Sequence, residues 1–172
     1  MESLLIITGS MGAGKTSVLA EASDILVLRH IVHAAIDLDA LGLAHLPSTA
    51  DNDGAMYRNL ESVCRNYAAL GVTRILLARA MEDHAELELC RRAVTAANTQ
   101  ICRLTAGIDT MQQRVKIREF GVLQRQYVDR VATLDAILDL ARLENFVVIN
   151  ENRSLSEVAQ EMLSKAGWIS DW

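Results

Sequence analysis

The stretch Leu4-Leu5-Ile6-Ile7-Thr8-Gly9-Ser10-Met11-Gly12-Ala13-Gly14-Lys15-Thr16 decides how this chain is read. Its first part, Leu4–Thr8, is a short aliphatic run of the kind buried on both faces of a parallel sheet. Gly9-x-x-x-x-Gly14-Lys15-Thr16 then fills every fixed position of a phosphate-binding loop, and a helical pattern follows from Lys15 to about Leu28. Glycines at 9, 12 and 14 let the backbone curl, so that amides along Gly9, Ser10, Met11, Gly12, Ala13 and Gly14 point inward with no β-carbon in the way. The helix start adds unsatisfied amides and the positive end of a dipole. Lys15 is placed to bridge the β- and γ-phosphates, and the Thr16 hydroxyl to ligate Mg²⁺. The expectation is a bound nucleoside triphosphate with magnesium.

Outward from the loop, short aliphatic runs alternate with helical patterns. Strands are expected at Ala34–Asp39, Arg74–Arg79, Gln100–Leu104 and Phe146–Ile149. Met56, Leu60, Val63, Cys64 and Tyr67 have helical spacing, with Gly71 as the stop. Further helices are expected over about 82–93, 109–120 and 122–143, and Ser154-Leu155-Ser156-Glu157 has the spacing of a capping box opening a last helix that ends at Gly167. The lone proline, Pro47, falls in a loop, and Trp168 and Trp172 are expected to pack the tail onto the core. Five buried strands alternating with helices imply an α/β domain spanning residues 1–172, with a parallel sheet covered on both faces. Ligands of such sheets sit beyond the carboxyl ends of the strands, which points to Gly9–Thr16, Asp37, Asp39, Arg79, Thr105 and Asn150.

Composition narrows the function. The net charge of -5 argues against a general nucleic-acid binder. No apolar run approaches the roughly eighteen residues of a membrane span, and Leu4–Ile7 is too short for a secretory leader. Cys64, Cys90 and Cys102 are widely spaced without a metal pattern, as in a reduced, cytoplasmic protein. The chain has no Asn-Lys-x-Asp guanine motif, no Asp-x-x-Gly switch and no transporter signature, which favours ATP over GTP. The third strand ends in Ala78-Arg79-Ala80, without the carboxylate often paired with this loop.

Asp37 and Asp39 stand two residues apart at the end of the second strand, so strand geometry puts them on one face. Beside a phosphate loop, one carboxylate can orient an acceptor hydroxyl and take its proton, while another holds magnesium-bound water. With this pair, the loop, and Arg114 and Arg118 after the fourth strand, the chain resembles the P-loop kinases of small metabolites: shikimate, gluconate and adenylylsulfate kinases and chloramphenicol phosphotransferase. The segment from Val147 through Ser154 and Val158 to Gly167-Trp168 is similar to bacterial adenylylsulfate-kinase-like proteins. The resemblance implies a strand order of 2-3-1-4-5, a mobile helical lid, Asp37 on the magnesium side and Asp39 as the hydroxyl-orienting base. Arg79-Ala80-Met81 replaces the Gly-Gly-Gly segment of shikimate kinase, and Asp37-Leu38-Asp39-Ala40 departs from the Asp-Gly-Asp-Asn of adenylylsulfate kinase, so neither substrate carries over.

Between Gln112 and Arg130, five basic residues (Arg114, Lys116, Arg118, Arg125, Arg130) face two acidic ones. Arg114 and Arg118 share a helix face and are candidates to meet the nucleotide from a lid spanning about 107–130, flanked by Gly107 and Gly121. Arg79 is a candidate for an anionic or hydroxylated substrate, Tyr57 and Arg58 for the acceptor, and the segment around Asn152 for adenine. The leading expectation is an ATP- and Mg²⁺-dependent phosphotransferase acting on a hydroxyl of a small molecule, with Lys15, Asp39 and Arg118 as catalytic residues, working as a monomer or homodimer. The alternatives are a nucleotide-binding regulatory protein with low turnover and a kinase of polynucleotide ends.

Overall fold

β1 (Ser3–Thr8) lies at the centre of a five-stranded parallel sheet, between β3 (Arg74–Ala78) and β4 (Asn98–Thr105). Leu5 is in register with Leu76 on one side and Gln100 on the other. β2 (Ala34–Asp37) and β5 (Phe146–Ile149) form the edges, giving the order β2-β3-β1-β4-β5 implied by the resemblance. The computed structural model describes residues 1–44 and 49–170. Pro47 and Trp172 lie outside the described residues.

Alternation along β1 divides the core. Leu5 and Ile7 point into one cluster with α1 (Lys15–Leu28), α4 (Ile108–Arg118), α5 (Gln124–Ala141) and α6 (Leu155–Lys165). Leu4 and Ile6 point into the other, with α2 (Thr49–Ala69) and α3 (His84–Val94). Each of the four is almost fully buried, worth about 1.5–3 kcal/mol apiece. Burial on both faces makes this strand a continuous apolar run and brings its C-terminal end, with the loop after it, to the top of the sheet.

α1 buries Val18, Leu19, Ala22, Ile25 and Leu26, a helical stripe that packs on the sheet and on α6. α6 opens with the expected capping box: the Ser154 hydroxyl accepts from the Glu157 amide, and the Glu157 carboxylate accepts from the Ser154 amide at 2.8 Å. Gly167, at φ +68°, ends it, and Trp168 is buried in the α1–α6 cluster. Behind the β5 edge, the Lys165 ammonium donates to the Val147 carbonyl at 3.0 Å and Arg153 to the Ile149 carbonyl at 3.2 Å. Glu161 holds both cations, at 2.7 and 2.5 Å, and their hydrogen bonds keep its carboxyl below the usual range. Beneath α5, the buried Arg103 of β4 is bonded to Asp135 at 2.8 Å and to Asp139 at 2.7 Å.

The second strand is shorter than expected. It stops at Asp37, and residues Leu38–Gly42 form a 3₁₀ helix. The cause is the Asp37 carboxylate, which accepts from the Asp39 amide at 3.2 Å and folds the chain into a turn. Asp39 therefore leaves the strand, and the two acids do not share a strand face. The third strand likewise ends at Ala78, one residue before Arg79. No helix among the described residues is long and apolar enough to cross a membrane.

Candidate active site

The loop between β1 and α1 follows the expected curl. Gly12 has φ +79° and Gly14 φ +97°, which side-chain-bearing residues rarely adopt. Space forbids a side chain as well, because a β-carbon on Gly12 would lie 2.2 Å from the Met111 carbonyl oxygen. Gly14 is also the N-cap of α1 and no side chain caps it, so the first amides of the helix are left for an anion.

Three polar contacts hold the loop from below. The Ser10 hydroxyl, fully buried, donates to the Val131 carbonyl at 2.7 Å. The buried Asn150 amide donates to the Ala13 carbonyl at 2.8 Å. Arg114 donates to the Gly12 carbonyl at 3.3 Å and to the Asn150 carbonyl at 2.9 Å. Glu151 accepts from the Gly107 amide and the Thr110 hydroxyl, which ties the start of α4 to the end of β5, and the Thr110 bond keeps its carboxyl below the usual range. Asn152, next in the chain, has φ +55°.

Lys15 reaches across the loop and donates to the carbonyls of Gly9 at 2.9 Å and Ser10 at 3.2 Å. Burial pushes its ammonium down to about 8, partly offset by Asp39 and Asp37 and reinforced by Arg118 and Arg79. The Thr16 hydroxyl donates to Asp37 at 2.7 Å. These two oxygens suit magnesium, which takes few protein ligands and keeps its waters and phosphate oxygens.

Asp39 is bonded to Arg79 at 2.5 Å, and the Arg79 Nε donates to Glu86 at 2.8 Å. Burial opposes the Arg79 charge, but Glu86 and Asp39 outweigh it and hold the guanidinium protonated. Glu86 also accepts from the Tyr57 hydroxyl at 3.2 Å and the Glu82 amide at 2.9 Å. Burial, with Glu86 alongside, raises the Tyr57 phenol far above its usual range and keeps it a donor. Above this group Arg130 is bonded to Glu82 at 2.9 and 3.0 Å.

Several of these residues line a cavity of about 350 Å³ beside the loop. Lys15, Asp39, Arg79, Glu82 and Arg130 give it charge. Met11, Ala80, Tyr127 and Leu134 form an apolar wall, and Gln126 adds a neutral polar group. A second cavity, of about 240 Å³, lies between Arg29, Arg153 and α6, and none of the loop residues lines it.

Of the candidates from the sequence, Lys15, Asp39 and Arg79 converge on the first cavity, with Thr16 and Asp37 adjoining through Lys15. Tyr57 is buried behind it in the core, one step removed through Glu86. Arg58 is exposed on α2 and does not line it. Arg118 is largely exposed and bonded to Glu119, yet near enough to influence Lys15. Arg125 pairs with Asp129 and stands 94% exposed. Sequence reading missed Glu82, Glu86, Gln126 and Tyr127. A signal for Glu86 was present, since Asp83-x-x-Glu86 has capping spacing and Asp83 does accept from the Glu86 amide.

No protein-family model matches the chain, and no curated protein matches it in sequence. Solved structures do match in shape. An unliganded sugar kinase from a Janibacter species superposes with a TM-score of 0.68 at 15% identity, covering 97% of this chain and 95% of that one. The Mycobacterium tuberculosis APS kinase, solved with AMPPNP and APS, gives 0.66 at 17% identity, covering 96% and 98%. Shikimate kinase from Bacteroides thetaiotaomicron gives 0.66 at 17% identity, covering 97% and 99%. With the sheet order and the loop already described, these likenesses establish that the chain has the fold of the P-loop small-molecule kinases.

Proposed function

We propose that this protein transfers the γ-phosphoryl group of Mg-ATP to a hydroxyl of a small molecule. The observation that carries the reading is the cavity of about 350 Å³ that shares Lys15 with the phosphate loop and has Asp39 in its wall. A protein that only bound nucleotide would have no use for a carboxylate-bearing chamber there. The kinase names of the structural neighbours agree with it.

The loop amides and the N-terminus of α1 hold the phosphates. Lys15 exchanges the Gly9 and Ser10 carbonyls for phosphate oxygens, and Thr16 and Asp37 provide the oxygens for magnesium. Bound magnesium supplies charge neutralisation on the triphosphate. Asp39 keeps one oxygen on Arg79 and offers the other to the acceptor hydroxyl, whose proton it takes as the new P–O bond forms and the bond to ADP breaks. Arg118, at the end of α4, swings in to balance charge on the transferring group. Arg114 stays with the loop, because its two backbone contacts and the fully buried Met111 and Val115 fix the body of α4. The moving lid is therefore the short exposed piece around Gly121 rather than the whole of residues 107–130. Backbone around Asn152 receives the adenine. The protein acts in the cytoplasm, as a monomer or homodimer, on a small molecule rather than a nucleic acid.

The test is ADP release with a panel of hydroxylated metabolites and antibiotics, wild type against Asp39→Asn. The variant is expected to lose about 10²–10⁴ in acceptor-dependent turnover while binding ATP as before. Full turnover in the variant removes Asp39 as the base. Tight ATP binding with no acceptor-dependent ADP from the wild type replaces the kinase reading with a regulatory one.

A further inference from the structure

The charges of the acceptor cavity restrict what it takes. We infer that the acceptor is a hydroxylated molecule that carries no anionic group and has one apolar face. The inference rests on the phosphotransferase reading. Once Lys15 turns to the phosphates, the lining keeps two guanidiniums, Arg79 and Arg130, against the two carboxylates of Asp39 and Glu82, while Glu86 stands behind Arg79. Both guanidiniums are already bonded to these acids. Each cation left in the lining is thus already paired with an acid of the lining, and the triphosphate stands next to them.

An anionic acceptor has two ways to find a cation here, and both fail. Taking Arg79 displaces Asp39, the proposed base, or Glu86, which is anchored by Tyr57 and the Glu82 amide as well as by Arg79. Taking Arg130 frees Glu82, which lines the same cavity. In each case a carboxylate loses its cation at short range from the new anion, and like charges at that range repel. A neutral hydroxyl asks for no such exchange, since Asp39, Glu82 and Gln126 can hydrogen-bond it as they stand. Opposite them Met11, Ala80, Tyr127 and Leu134 offer an apolar surface that suits the carbon face of a ring rather than a fully solvated chain of hydroxyls.

Two measurements test this. In the first, the phosphate loop is filled with a non-hydrolysable ATP analogue and magnesium, and the Nε–H NMR signals of Arg79 and Arg130 are followed as sulfate is added. Wild type is expected to show no saturable shift, and a saturable one at either arginine overturns the inference. Glu82→Gln, which strips Arg130 of its counter-ion, is expected to acquire such a shift. If it does not, the claim that Glu82 keeps anions out is wrong. In the second, wild type and ATP are given an equimolar mixture of neutral polyols, nucleosides and their sugar-acid counterparts, and phosphorylated products are identified by mass spectrometry. Products from acceptors without an anionic group are expected to exceed those from matched acids by at least about tenfold, equivalent to about 1.4 kcal/mol. Preference for the acids overturns this inference and leaves the kinase reading standing. ATP binding with neither product nor ADP removes the kinase reading, and this inference with it.

Discussion

The Thr16 hydroxyl donates to the Asp37 carboxylate across 2.7 Å, joining the first turn of α1 to the end of β2. The pair presents two hard oxygens at the mouth of the loop. Asp37→Asn keeps an oxygen to accept from the Asp39 amide and so keeps the turn, but removes the charge. It is expected to weaken the magnesium dependence of nucleotide binding by about 10–100-fold. A magnesium titration of analogue binding measures this, and the melting temperature should barely change.

Lys15 gives a pH signature of two opposite signs. Burial holds it at about 8 in the folded protein, against 10.5 ordinarily. Between those values the unfolded chain keeps a proton that the folded chain has released, so this group's contribution to stability is lowest below pH 8 and rises through the window. Binding of the triphosphate needs the charged form, so affinity falls above pH 8, by up to about tenfold per pH unit. Lys15→Met is expected to abolish both trends relative to wild type, in melting curves and in calorimetric titrations.

Gly12 and Gly71 separate backbone strain from collision. Both have positive φ, +79° and +84°. A β-carbon at Gly71 meets nothing within 4 Å, so Gly71→Ala is expected to cost about 1–2 kcal/mol from conformation alone. At Gly12 the β-carbon strikes backbone at Met111. Gly12→Ala should lose clearly more stability in denaturant titrations, and lose nucleotide binding outright.

Much of this geometry was legible in the chain, and the exceptions share a cause. α1 and β5 lie where the pattern puts them, because a phosphate loop bounds one and turn residues bound the other. Asp39 was placed correctly near the loop for an incorrect reason. Periodicity assumes that the strand continues, and it cannot register a side chain that ends the strand by bonding the backbone two residues on. The pairing of Arg79 was also out of reach. Glu86 lies on the next helix and Tyr57 on the previous one, and only the packed fold brings them to one guanidinium. The bonds of Arg114 to the Gly12 and Asn150 carbonyls were equally out of reach, because helix spacing and charge do not say which distant loops a side chain will meet.

Asn150 gives a direct test of the loop's support. Its side chain is buried and bonds the Ala13 carbonyl. Asn150→Ala leaves that acceptor without its partner and is expected to cost about 1–3 kcal/mol, with weaker nucleotide binding. Chemical denaturation and analogue titration on the same variant report the two effects separately.

Arg103 offers a prediction away from the site. Asp135→Ala removes one of its two acids and leaves a buried guanidinium poorly compensated, at an expected cost of about 3–5 kcal/mol. Adding Arg103→Met to that variant should recover part of the loss. A double-mutant cycle in urea checks the non-additivity, and ATP binding should be unaffected throughout.

The side-chain donors behind β5 have a consequence for self-association. A strand at the rim of a sheet normally offers free carbonyls on which another chain can template. Here Val147 and Ile149 have theirs taken by Lys165 and Arg153, and Glu161 pins both cations in place. A sixth strand would have to evict two charged groups to add itself. Two of the carbonyls on this rim are thus out of reach of a further strand unless those charged groups move.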